Sequence, residues 1–91
     1  MPYIVQEKRA EISPHIKPLQ DYIATAGELA SGDLNYILTL LIIAYYKRRS
    51  NYQSVNDISG ALDECGKEFD RRVTAKYEDK KIEQNGDVYD I

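Results

Sequence analysis

The sequence predicts an all-α protein, a small helical bundle of three main helices with a long C-terminal helix and a short extended tail. Three observations carry this. Apolar residues recur at spacings of three and four over most of the chain, which is the periodicity of a helix face. The segments between hold the residues that start and stop helices, Ser13-Pro14, Gly27, Ser50-Asn51 and Asn85-Gly86. A chain of 91 residues, 43% hydrophobic and 30% charged, is suited to one domain spanning residues 1–91 around a single modest core.

The first helix is announced by Ser13 as N-cap and Pro14 at the first helical position, where a missing N–H costs nothing. Ile12, Ile16, Leu19, Ile23 and Ala26 then form one narrow stripe. Pro18 falls one turn in, so a kink or a later start is expected there. Gly27 is the expected stop. Ahead of the helix, residues 2–11 read as a short extended piece followed by one or two turns, and His15, the only histidine, is a first-turn residue.

Asp33 reads as the N-cap of the second helix, which runs to about Arg49, where Lys47, Arg48 and Arg49 complement the C-terminal dipole. Between Leu34 and Tyr46 only Asn35 and Thr39 interrupt the apolar run, so this helix is apolar on every side. Its run of about 13 residues is short of the roughly 20 that a bilayer requires. A helix of this kind must be covered all round.

After the turn at Ser50-Asn51, the third helix shows Val55, Ile58, Leu62, Cys65, Phe69, Val73 and Tyr77 at helical spacings. Asp63 with Lys67 and Glu68 with Arg72 are pairs four apart in the favourable order, the mark of a solvated face. Gly60 and Gly66 inside the helix each cost about 1 kcal/mol relative to alanine and suggest a second backbone close by. Asn85-Gly86 reads as a helix stop, with a two-residue hairpin turn as the alternative.

Net charge of −3 gives no general attraction to nucleic acid or anionic lipid. The segment Tyr45 to Tyr52 interleaves aromatics with cations as single-strand binders do, but a helix C-cap explains it equally. The later cations alternate with acids, so no positive stripe forms and nucleic acid is not the expected partner. Cys65 has no second cysteine to pair with and sits in the apolar pattern, which predicts a buried thiol in the core. The N-terminal stretch lacks a basic region followed by an apolar one, so the cytoplasm is expected and a membrane is not.

Small helical nucleotide pyrophosphohydrolases hold Mg²⁺ with Glu-x-x-Glu and Glu-x-x-Asp pairs; neither pair occurs here. Glu64 and Glu68 share a face but have Lys67 and Arg72 as neighbours, and one histidine supports no His-based site. A metal-dependent nucleotide hydrolase is therefore the alternative reading. No catalytic, metal or cofactor residue is assigned.

The third helix reaches about 45 Å and the second about 25 Å, at 1.5 Å per residue. In an up-down-up arrangement the second helix pairs with the first half of the third, and the second half projects beyond it. A homo-oligomer, most simply a two-fold dimer, supplies the missing cover; an unidentified protein partner is the other option. The candidate interface comprises Leu41, Ile42 and Tyr45 on the second helix, Phe69, Val73, Tyr77 and Ile82 on the overhang, and Val88 and Tyr89 in the tail. Eight tyrosines against one phenylalanine suit a half-wet contact of this sort. Whether the tail docks on its own chain or on a neighbour stays open.

Gly27, Leu34-Asn35-Tyr36, the tail from Tyr77 to Asp90 and the opening Met-Pro-Tyr-Ile resemble a family of short uncharacterised proteins from prokaryotes and their phages. The linker from Gly27 to Leu34 is longer than that family's Gly-Glu-Leu-Asn-Tyr version. The resemblance implies a small helical fold and, since the family carries no assigned activity, no catalytic residue.

Overall fold

A computed structural model describes residues 2–91, and the chain is all-α. It comprises α1 (Gln6–Thr25), α2 (Ser31–Arg48), α3 (Tyr52–Phe69), a π-helical segment (Asp70–Thr74) and α4 (Ala75–Asn85), with no strand among the described residues. Phe69, Thr74 and Ala75 all have right-handed helical backbone angles, so α3, the π segment and α4 form one continuous helix. The expected count of three main helices with a long third one is therefore met. The chain divides into two units, Met1–Ile58 and Ser59–Ile91, and the division falls inside α3.

In the first unit α1 begins earlier than the Ser13-Pro14 signal suggests. Residues 2–5 are non-helical, Val5 is the N-cap, and its carbonyl accepts from the Lys8 and Arg9 amides at 3.1 Å. Val5 offers no capping side chain, which is why no cap signature marks this start. Pro14 and Pro18 both lie inside the helix. They are four apart, so the two carbonyls deprived of a donor belong to Ala10 and to Pro14 itself, on one exposed face where water can replace the lost bonds. Ser13 is no cap: its hydroxyl donates back to the Arg9 carbonyl at 2.7 Å. His15 correspondingly sits mid-helix and not in a first turn.

The second helix also starts slightly earlier than its acid suggests. Ala30 is the N-cap and Asp33 lies in the first turn, its Oδ2 accepting from the Ala30 amide at 2.8 Å. Asp33 thus ties the turn together from inside, and its charge suits the positive end of the dipole. At the far end Lys47 and Arg48 occupy the last turn, as expected.

A tight corner joins α2 to α3. Asn51 caps α3, its Oδ1 accepting from the Ser54 amide at 2.9 Å. The Ser54 hydroxyl donates to the Arg49 carbonyl at 2.5 Å, and Ser54 is the one buried residue among the described residues, at 5% exposure.

In the second unit the long helix ends at Asn85. The Gly86 amide donates to the Ile82 carbonyl at 2.8 Å, and Gly86 adopts φ 91° and ψ 148°, a combination essentially reserved for glycine. Asn85-Gly86 is a helix stop and not a hairpin turn. The tail beyond it is non-helical, with an Asx turn from Asp87 Oδ1 to the Tyr89 amide at 2.9 Å.

Among the described residues no apolar side chain is buried. Cys65, expected in the core, is exposed, because helical periodicity marks a face to be covered without supplying the cover. Gly60 and Gly66, expected to face a second backbone, have nothing within 4 Å of where a Cβ would stand.

Candidate interaction surfaces

The candidate interface residues fall into three groups. Leu41, Ile42 and Tyr45 lie on α2 in the first unit, with Ile42 half-buried and Leu41 46% exposed. Their neighbours Leu38, Leu40 and Ile43 are comparably open, so the helix that is apolar all round in sequence is uncovered on several sides. In the second unit Phe69, Val73 and Tyr77 are open at 59%, 50% and 58%. Ile82 does not share their row. It lines a groove of about 410 Å³ with Lys81, Gly86, Val88 and Tyr89, so the structure brings Ile82 together with the tail. Val88 and Tyr89 themselves stay 90% and 75% exposed.

The most organised polar cluster is the α2–α3 corner. The Tyr45 hydroxyl donates to Asp57 Oδ2 at 3.1 Å, and Gln53 Nε2 donates to Asp57 Oδ1 at 2.7 Å. The Arg48 guanidinium stands 5.6 Å from the Tyr45 ring centroid, within cation–π range. With Arg49, Asn51 and Ser54 these side chains enclose a cavity of about 190 Å³. The cations and aromatics of the Tyr45–Tyr52 segment are thus partly committed to one another. No sequence signal marks Asp57, since nothing in the spacing pairs it with Tyr45 twelve residues away.

Charged groups elsewhere pair locally along single helices. Asp63 and Lys67 lie 2.8 Å apart, and the hydrogen bond and charge of Asp63 hold the Lys67 ammonium above its ordinary pKa. Glu68 accepts from Arg71 at 2.5 Å and lies 3.9 Å from Arg72. These ion pairs are largely exposed and contribute little stability each. No group of three or more His, Cys, Asp or Glu among the described residues is placed to hold a metal ion, and none of the described helices is long and apolar enough to cross a membrane.

A second unexpected groove, of about 230 Å³, lies where the N-terminal segment meets α1. Arg9 Nε donates to the Ile4 carbonyl at 2.7 Å and holds Pro2 and Ile4 near Ile12 and Ile16. The α1 stripe read from sequence is thus partly covered, and Ile16 and Leu19 are half-buried.

Open apolar faces and local ion pairs on a helical frame without a strand among the described residues define the class as a small all-α protein. The chain belongs to the family of the domain of unknown function DUF6899, which matches residues 1–88. Comparison with curated proteins and with solved structures gives no match.

Proposed function

We propose that the protein is a self-associating helical module whose working form is a homo-oligomer and whose role is binding or assembly. The observation that carries this is the set of apolar side chains left open within each unit: Leu38, Leu40, Leu41 and Ile43 on α2 in the first, and Leu62, Phe69, Val73 and Tyr77 along the long helix in the second, with no apolar side chain buried among the described residues. Contiguous open apolar faces of this kind mark surfaces that another molecule covers.

A second copy is the simplest occupant, since it needs no other gene product and arrives at the same concentration. The test is the molar mass of the full chain by light scattering at micromolar concentration. A mass of two or more chains supports the reading. A strictly monomeric mass, with Phe69 and Val73 protected from solvent, overturns it, because the chain would then cover its own faces.

A further inference from the structure

The π segment alters the row of apolar residues on the second unit. Leu62, Cys65 and Phe69 follow the three-four spacing of a coiled-coil seam, whereas Val73 and Tyr77 continue at four and four. In an unbroken α-helix, with about 100° per residue, each step of four swings the row about 40° sideways. A π turn takes more residues per turn. The segment Asp70–Thr74 therefore absorbs about one residue of rotation where the spacing lengthens, and it returns Val73 and Tyr77 to the line of Leu62 and Phe69. All five seam residues are exposed.

The resulting seam is nearly symmetrical about Phe69. Leu62 lies about 10.5 Å before it along the axis and Tyr77 about 12 Å after it, or slightly less because the wider π turn rises less per residue. Cys65 and Val73 are each one turn away, on opposite sides. Charge divides about the same point. From Ser59 to Asp70 the charges are Asp63, Glu64, Glu68 and Asp70 against Lys67; from Arg71 to Lys81 five cations face two acids.

We infer that a second copy of the chain lies antiparallel along the seam from Leu62 to Tyr77, with the two Phe69 rings meeting on a two-fold axis. Leu62 then packs on Tyr77 of the second copy, and Cys65 on its Val73. The acidic half of each helix meets the basic half of the other, whereas a parallel pair would set acid on acid and base on base. The inference rests on the proposed self-association and adds its orientation and register.

Mild oxidation with copper phenanthroline tests it on the full-length chain. In the antiparallel pair the two Cys65 Cα atoms are about 12 Å apart along the axis, at 1.5 Å per residue, beyond the roughly 7 Å that a disulfide spans. Wild type therefore stays uncrosslinked while Val73→Cys, facing native Cys65, converts to a covalent dimer. Rapid crosslinking of wild type through Cys65 would show a parallel pair and overturn the inference. So would a dimeric Val73→Cys that fails to crosslink.

A second variant avoids altering the seam at Val73: spin labels at Lys80→Cys in a Cys65→Ala background. The antiparallel pair places them about 33 Å apart along the axis and a parallel pair about 10 Å apart, from the helical rise and the packing distance of helices. The short distance overturns the inference. A monomeric wild type defeats self-association itself, whereas a dimer with the wrong crosslinks defeats only the antiparallel seam.

Discussion

Leu41→Asp separates a chain that stands alone from one that is covered by a copy of itself. Leu41 is 46% exposed, so about half of its side chain already meets water. If that were its final environment, losing the buried half would cost about 1 kcal/mol, half of the roughly 1.5–3 kcal/mol for a fully buried aliphatic side chain. Poorer helix propensity adds about 0.5 kcal/mol. If the α2 face is covered by another subunit, the whole burial term is lost and a carboxylate is stranded without a partner, at several kcal/mol. The second total reaches about 5 kcal/mol, comparable with the entire stability of a small domain. Urea unfolding followed by circular dichroism, with molar mass by light scattering, distinguishes the two. The expected result is loss of the oligomer together with loss of helix or of most of the unfolding free energy. Retention of the wild-type mass with a stability change near 1 kcal/mol would refute the reasoning that α2 is covered.

The corner should depend on two small side chains. Asn51→Ala removes the cap of α3 and is expected to cost about 1 kcal/mol, and Ser54→Ala removes the bond to the Arg49 carbonyl for a similar 0.5–1.5 kcal/mol or so; both are read from the shift in urea midpoint. Gly86→Ala forces a Cβ into φ 91° and ψ 148° and should cost about 1–3 kcal/mol, or else displace the tail, which loss of the Ile82–Gly86 bond in hydrogen exchange would report. Truncation after Asn85 should weaken the oligomer while leaving helix content nearly unchanged, since residues beyond the stop are non-helical; an unchanged association constant would show that Val88 and Tyr89 take no part.

The sequence was most readable where a local rule has no competitor. Gly86 is such a place, since a glycine after an apolar helical run supplies the backbone angles that end a helix. The Asp63–Lys67 pair is another, because residues four apart on a helix meet regardless of what surrounds them. Pro14 was misleading for the opposite reason: on an exposed helix the carbonyls it leaves unpaired can turn to water, so the helix continues through it to an unmarked start at Val5. The π segment had a signal in the change from three-four to four-four spacing at Phe69, Val73 and Tyr77, but spacing alone does not distinguish a drifting row from a rephased helix. The spacing predicts a core position for Cys65 and a second backbone near Gly60 and Gly66, and the chain itself supplies neither. Periodicity identifies a face that is meant to be covered and is silent on which molecule covers it. The corner cluster around Asp57 depends on the angle between two helices, which no local pattern encodes.

The central claim is that the apolar faces of this chain are covered by another chain, and the dependence of stability on protein concentration tests it most directly. For a two-state dimer that unfolds to separate chains, each tenfold rise in concentration stabilises the folded form by about 1.4 kcal/mol per mole of dimer. Urea midpoints recorded over a hundredfold range of concentration should therefore rise steadily. A midpoint that does not move over that range, in a protein whose mass is that of one chain throughout, would contradict the account.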